Sequence, residues 1–401
     1  MRFLFLTLGY HPDTIGGGWR YAAEVAERLA GRGHAVSVIC QNTEANLPAT
    51  EIRRGVALHR FARGSGSFFT KWRRENRQAQ DLLTRLRSES SAAVLIATHH
   101  AYLQSALASV PGKKLFMLHG PWAEEYRFAR QAKPRRLWRR CLDELIAIRL
   151  RATERRALRS VDQIFVTSQH FKEKLSRWHP VALPPVSAIG GGTDTEQFKP
   201  AADRAAVRMA YGLRDDHRLF LAVRRLDPRM GLVLLLEAFG RMAAAFPQSL
   251  LWIAGRGPLQ EELARRIEGL GMAQRVRLLG FVPEEELPRL LSAADCSVMP
   301  SLDLEGFGLA TVESLACGTP VLGSRAGATP ELLAPLSPQL LFEPGSVTSL
   351  ADHLREILVN PARLPDCQSC REYALRRFTW HGPVSAFEAC HERLLPAGVN
   401  P

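Results

Sequence analysis

Ser301-Leu-Asp-Leu-Glu305-Gly-Phe-Gly-Leu-Ala-Thr-Val-Glu313-Ser-Leu-Ala-Cys-Gly-Thr-Pro320 is the stretch on which the reading of this chain turns. A short apolar run, Cys296–Met299, precedes it and another, Val321–Ser324, follows. Leu309–Cys317 has helical spacing and stops at Gly318 and Pro320. The whole is one unit of strand, loop, helix and strand. Glu305 falls in the loop beside Gly306 and Gly308, and Glu313 lies eight residues on, inside the helix. The first N–H groups of that helix and its dipole face the loop, which suits an anion. Gly306 and Gly308 let backbone approach a ligand closely. A carboxylate repels phosphate, so Glu305 is better used to accept hydrogen bonds from sugar hydroxyls. Glu313 either does the same for a ribose diol or is a solvated helix glutamate. A phosphorylated sugar is the ligand that such a crevice suits.

The same alternation of strand and helix surrounds this unit. In the second half, Leu219–Val223, Ser249–Ala254 and Val276–Leu279 read as strands, with helices at Leu232–Ala245, Leu259–Glu268 and Leu287–Ser292. In the first half, Arg2–Leu8, Ala35–Cys40, Ala93–Ala97, Lys114–Leu118 and Gln163–Thr167 are apolar runs typical of strands covered on both faces. Gly16-Gly17-Gly18 marks the first strand-to-helix turn, and Tyr21–Ala30 is helical in spacing. Val181–Pro200, rich in Pro and Gly, reads as a linker. The expected fold is therefore α/β, with two Rossmann-like, doubly wound domains facing a cleft and ligands at the carboxyl ends of the strands. The domain boundaries expected are 1–190 and 191–377.

Composition narrows the function. At 401 residues, 46% hydrophobic and 23% charged, the chain has the balance of a soluble globular protein of two or three domains. The net charge is +13, and residues 1–198 carry 31 Lys and Arg against 17 Asp and Glu, whereas the rest carries 22 against 23. A one-sided basic field points to a polyanionic partner: nucleic acid, an anionic membrane face or a phosphorylated substrate. Seven widely spaced cysteines argue for a reducing compartment, and Cys367-Gln-Ser-Cys370 stands without a second pair. Phe3–Leu8 is short for a signal segment and no uncharged run is apolar enough to span a bilayer, so a cytoplasmic location is expected.

Arg224-Arg225-Leu-Asp-Pro-Arg229-Met230-Gly231 follows a strand and precedes a helix. Guanidiniums there suit a diphosphate, because each fork binds oxygens bidentately; the alternative is a basic surface turn. Gly255-Arg-Gly257-Pro258 lacks the third glycine of a dinucleotide fingerprint and reads as a tight turn near a nucleotide.

Taken in order, Arg225-Leu, Gly231, Ile253-Ala-Gly-Arg-Gly-Pro-Leu259, Gly280-Phe-Val-Pro283, Ala294-Asp295, Glu305-x7-Glu313, Ala316-x-Gly318-x-Pro320-Val321 and Gly327-Ala-Thr-Pro-Glu331 resemble the GT-B fold, family 4 ("group 1") retaining glycosyltransferases. Gly191-Gly-Thr-Asp194-Thr-Glu-Gln-Phe198-Lys-Pro200 is similar to that family's interdomain segment, and Gly16-Gly17, Gly33-His34 and His119-Gly120 fit its acceptor domain. The match is specific across Ile189–Glu331 and looser before it.

The resemblance implies that Arg225 binds the donor diphosphate, with Arg229 or Arg224 as a second contact. It implies that Glu305 holds the transferred sugar and that Gly306, Phe307, Gly308 and Leu309 offer backbone N–H groups. Glu313 would hold the ribose, and backbone around Phe281 and Val282 would meet the base. Gly16 and Gly17 would admit the phosphates, and His119 would approach the reacting sugar. Glu305, His119 and Arg225 are thus the expected catalytic set. The segment 378–401 is expected to return to the first domain. Two departures stand out: Met230 occupies the place of a usual lysine, and Arg224 that of a common glycine.

The function implied is transfer of a hexosyl group from a nucleotide-diphosphate sugar (UDP or GDP type) to a glycan or lipid-linked acceptor, in cell-surface polysaccharide or glycolipid synthesis. No Asp-x-Asp motif is present, so neither an essential metal nor a cofactor is expected. A GT-B-type epimerase or phosphorylase is the nearest alternative, and nucleic-acid binding through the basic half is a further one that lacks any recognised module. His119 alone reads equally as a core-edge histidine. Arg127–Arg140, with seven basic residues and no acid, and Lys71-Trp-Arg-Arg74 are either solvated faces or peripheral contacts with the inner face of an anionic membrane.

Overall fold

The computed structural model describes residues 1–43, 47–131 and 137–396. Two compact units divide them: one comprises Met1–Arg127, 137–191 and the chain from Trp380 on, and the other Gly192–Thr379 together with 128–131.

The first unit is built on a sheet of eight strands among the described residues: β1 (Arg2–Leu6), β2 (Ala35–Gln41), β3 (Thr50–Arg53), β4 (Val56–Phe61), β5 (Val94–Thr98), β6 (Lys113–Leu118), β7 (Gln163–Val166) and β8 (Val186–Ala188). Their order is β3-β4-β2-β1-β5-β6-β7-β8, and every pair is parallel except the β3–β4 hairpin. Phe3, Leu4, Phe5 and Leu6 are all fully buried, as an internal parallel strand requires. The segment 181–200 is not wholly the irregular linker expected from its prolines: Val186–Ala188 pairs with β7 and extends the sheet. Three residues behind Pro184-Pro185 are too few for periodicity to register. The hairpin and the long helix Phe68–Ser88 also went unread in the sequence.

The C-terminal helix His381–Leu394 belongs to this first unit. Phe387, fully buried, packs against Phe5 at 5.5 Å and Phe165 at 5.4 Å. Its burial alone contributes about 2–3 kcal/mol. Arg393 Nη2 donates to Gln163 Oε1 at 2.6 Å, and Glu388 accepts from His34 at 2.9 Å.

The second unit is a six-stranded parallel sheet of β9 (Arg218–Val223), β10 (Ser249–Ala254), β11 (Val276–Gly280), β12 (Cys296–Met299), β13 (Val321–Ser324) and β14 (Leu341–Phe342). The alternation of each strand sorts its side chains into two cores. Leu219, Leu221, Trp252, Ala254 and Met299 enter one, while Phe220, Ala222, Leu251, Ile253 and Val298 enter the other. Asp295, just before β12, ties the start of that strand to β9 at the centre of the sheet: its Oδ2 accepts from Leu219 N at 2.7 Å and from buried Arg208 at 3.1 Å.

The strand order β11-β10-β9-β12-β13-β14 reverses direction between β9 and β12. That reversal is the topological switch point at which open α/β sheets receive ligands. Gly255, after β10, holds φ at +139°, and a Cβ there would overlap the carbonyl oxygen of Arg224. The Gly-Arg-Gly turn is thus first a close approach of two backbones. We expect Gly255→Ala to destabilise the protein by about 2–4 kcal/mol in urea unfolding, through backbone strain plus overlap.

Candidate functional site

Arg224 and Ser301 leave adjacent strands, β9 and β12, at the switch point, so sheet pairing alone brings them side by side. Ser301 Oγ accepts from Arg224 Nη2 at 2.6 Å and donates to Glu305 Oε2 at 2.9 Å. Arg224 Nη2 also makes a short ion pair with the same Oε2. Arg224 is 8% exposed, so the pair is largely removed from water. Burial alone would raise the Glu305 carboxyl. The charge and hydrogen bond of Arg224, the charge of Arg229 and the Ser301 hydroxyl more than offset this and hold it below the usual carboxylate range.

The loop that carries Glu305 is pinned on every side. Arg229 Nη1 donates to Leu304 O at 3.1 Å, Leu302 N to Arg229 O at 2.8 Å, and Ala328 N to Glu305 O at 2.9 Å. Leu304 adopts a left-handed conformation, φ +57°, that non-glycine residues take only under constraint. The other carboxylate oxygen, Oε1, lies beside Gly308, the N-cap of helix Leu309–Ala316. Among the described residues it has no hydrogen-bond partner. The site therefore offers one fixed, ionised acceptor at the head of a helix.

The other expected residues of this unit fall in several places. The Arg225 side chain is 57% exposed and lies 3.6 Å from Asp227, which leaves it accessible to solvent. Arg224, read as a spare diphosphate contact, is instead spent on Glu305, because its side chain turns into the sheet edge rather than out of it. Met230 is buried, with Sδ 2.8 Å from Arg224 Nη2. Glu313 is 4% exposed within helix Leu309–Ala316. The Phe307 ring packs edge-on against Phe378 at 6.1 Å, so only its backbone remains for a ligand. Gly306 is buried in the same loop and Leu309 is half-buried. Phe281 and Val282 line, with Tyr211 and Trp252, a depression of about 260 Å³, and the Arg256 guanidinium lies 5.5 Å from the Phe281 ring.

In the first unit the strand order reverses between β1 and β5, and His99 follows β5 directly. Its Nδ1 is 2.9 Å from Nε2 of His119, which follows β6, and the two rings stack at 5.2 Å. Gly16 caps helix Gly17–Gly31, whose first residue is Gly17. Gly18 abuts the His119 ring, and the Tyr21 ring lies 5.1 Å from it. Burial, with the His100 charge adding to it, pushes His119 down to about 3, and burial takes His100 to about 4. Burial and His119 lower His99 well below its ordinary value. The cluster is neutral at pH 7 and offers hydrogen bonds rather than charge. Of the basic run 127–140, residues 132–136 lie outside the described residues. Arg127 is engaged by Glu124 and Glu144.

Comparison with known proteins bears on both units. The family model "Glycosyl transferases group 1" matches residues 203–377, and "Glycosyltransferase Family 4" matches 15–197. The chain belongs to this glycosyltransferase family. Among curated relatives, the GDP-mannose-dependent alpha-(1-6)-phosphatidylinositol monomannoside mannosyltransferase of Mycolicibacterium smegmatis is 33% identical over 206 residues, covering 49% of this chain and 52% of the relative. The chain spans about half the length of the curated relatives it matches. Among solved structures, sucrose-phosphate synthase from Thermosynechococcus elongatus superimposes with a TM-score of 0.84 at 23% identity, covering 99% of this chain and 100% of that one. HepE of Anabaena, solved with UDP and glucose, does so at 0.76 and 20%, covering 98% and 100%. The fold of this family member is accordingly the GT-B α/β fold, with two Rossmann-like units and a C-terminal helix returned to the first.

Sequence reasoning missed Ser301 and the role of Arg224. A doublet of arginines at a strand's end does not reveal which one turns inward. It also passed over the pairing of His99 with His119, twenty residues apart. An imidazole whose value falls from about 6.5 unfolded to about 3 folded binds its proton more readily in the unfolded chain. Its stabilising contribution is complete above about pH 6.5 and is lost as the pH falls towards 3. We expect His119→Leu to lose about 1–3 kcal/mol less stability than the parent between pH 6.5 and 4. Urea unfolding at the two pH values reads this, and equal losses would remove His119 from the account.

Proposed function

We propose that this protein transfers a hexosyl group from a nucleotide-diphosphate sugar to a glycan or lipid-linked acceptor, with retention at the anomeric carbon and without a metal ion. The observation that carries this reading is the Glu305 carboxylate: ionised, immobile, and with Oε1 directed to the head of a helix. Such an oxygen accepts hydrogen bonds from sugar hydroxyls, and it does so without reorganising during the reaction. Helix Leu309–Ala316 meets the diphosphate with its N-terminal dipole, and exposed Arg225 adds a guanidinium. Charge gathers on the diphosphate as its bond to the anomeric carbon breaks, so these donors bind the transition state more tightly than the ground state. The acceptor hydroxyl attacks from the face that the diphosphate leaves, and its proton passes to the departing diphosphate oxygen. Glu313 is assigned to the ribose, the Phe281–Val282 backbone to the base, and His119, as a neutral imidazole, to the transferred sugar. Gly16 and Gly17, at the head of helix Gly17–Gly31, are assigned to the phosphates. The relative named for GDP-mannose and the neighbour solved with UDP and glucose mark the two donor classes to test first.

A panel of GDP-mannose, UDP-glucose, GDP and UDP in a thermal-shift assay reads the donor class. The matching nucleotide sugar raises Tm in proportion to its occupancy, and no rise with any of the four counts against the reading. Glu305→Gln keeps the shape of the side chain and a partner for Arg224, whereas alanine would strand a buried guanidinium. We expect the glutamine variant to retain its Tm within a few degrees and to lose transfer about 100-fold or more. Near-normal turnover would sink the assignment.

A specific surface favours a membrane-bound acceptor in polysaccharide or glycolipid synthesis. On helix Leu137–Arg159, Trp138, Leu142, Leu145 and Ile148 are each about half exposed, at 57%, 49%, 59% and 56%. They lie three or four residues apart and are flanked by exposed Arg139 and Arg140. Among the described residues no helix is long and apolar enough to cross a membrane. An apolar stripe beside arginines instead fits the surface of an anionic leaflet. The Lys71–Arg74 segment contributes less, because Trp72 Nε1 is committed to Tyr102 O at 3.0 Å. Co-sedimentation with phosphatidylglycerol vesicles at low salt is expected for the parent and lost in Leu142→Glu/Leu145→Glu. Parent protein left in the supernatant would refute the membrane assignment.

A further inference from the structure

Arg224 is a costly residue for its place. Its guanidinium is buried between two thioethers, with Nη2 2.8 Å from Met230 Sδ and Nη1 3.5 Å from Met299 Sδ. Its Nε is buried without a hydrogen-bond partner. A buried ion pair is seldom the most stable filling of a site, since apolar residues of similar volume do as well or better. What the pair supplies here is geometry. Arg224 Nη2 reaches Ser301 Oγ and Glu305 Oε2 together, and so locks one carboxylate oxygen. Oε1 is left to face Gly308. A low-dielectric surround makes that lock strong, and the Ser301 hydroxyl, which donates to the same oxygen, adds to it.

We propose that Arg224 is the positioning residue of Glu305, that its cation orients the carboxylate from within the protein rather than binding the donor, and that a cation carried on residue 230 can replace it. The inference rests on the reading of Glu305 as the residue that receives the transferred sugar. The second part follows from distance. Met230 Sδ stands where the Cδ of a lysine would stand, and two further bonds carry an ammonium into the space that Arg224 Nη2 now fills. Arg224→Met empties that space, and Met230→Lys refills it with the same charge on a different stem. Residues 224 and 230 together still carry one cation and one thioether after the exchange.

The deciding readout needs no donor. Selective ¹³C labelling of glutamate carboxyls, with Glu305→Gln to assign the resonance, gives the titration of Glu305 in the parent, in Arg224→Met and in Arg224→Met/Met230→Lys. We expect a midpoint below the usual carboxylate range in the parent, a clearly higher one in Arg224→Met, where only the Arg229 charge and the Ser301 hydroxyl still oppose burial, and a return below the range in the double variant. Hydrolysis of GDP-mannose or UDP-glucose is expected to fall about 100-fold in kcat for Arg224→Met, with its acid limb moved to higher pH, and to recover at least about 10-fold in the double variant. An unchanged Glu305 titration in Arg224→Met overturns the inference, as does a double variant that titrates like the single one. If Arg224→Met fails to fold, the double variant decides alone: folded with a low midpoint supports the inference, and unfolded or with a high midpoint overturns it. Full turnover in Glu305→Gln would remove the functional reading instead and leave the titration result standing.

Discussion

One buried ion pair, between Arg224 and Glu305, organises the second unit's site. Removing two charges from water costs several kcal/mol per ion, and only close contact with further hydrogen bonds recovers it. The surroundings supply these through the Ser301 hydroxyl, the Arg229 charge and the backbone bonds that fix residues 302–305. The pair in turn depends on sheet order. β9 and β12 are neighbours only because the sheet reverses between them. A doubly wound topology thus converts two strand ends, more than 70 residues apart in the chain, into one contact.

The two units solve different electrostatic problems. In the second, charge is kept inside the protein, where a fixed guanidinium holds a carboxylate ionised at the head of a helix. In the first, the side chains gathered after β5 and β6 are imidazoles from which burial has driven the charge. A neutral histidine stacked on another can donate or accept a hydrogen bond and adds no field of its own. The net positive charge of the first half lies elsewhere, on helices such as Leu137–Arg159 whose apolar stripe is turned to solvent. Charge and chemistry are therefore separated within that unit.

Much of this was legible in the sequence. The strands of the second sheet were marked by apolar runs of four to six residues between glycines, and Cys296–Met299 and Val321–Ser324 needed no adjustment. The returning helix was expected through resemblance, and Phe387 between Phe5 and Phe165 gives it a packing reason. Val186–Ala188 was not legible, because a three-residue edge strand has no period to detect and its prolines argue for a loop. The antiparallel β3–β4 hairpin, polar on its outer strand, gave as little signal.

The sequence by itself determined the repeated α/β alternation, the family to which the chain belongs and the loop that carries Glu305. Each of these depends on local pattern: periodicity, glycine placement and residue order. Tertiary structure alone decided the duties of the residues around that loop. Arg224 and Arg225 are adjacent and chemically identical, yet one faces inward to Glu305 and the other outward to solvent. Successive side chains at the end of a strand point to opposite sides, and which side holds the carboxylate is fixed by strand pairing across the sheet, a relation that residue order does not encode locally.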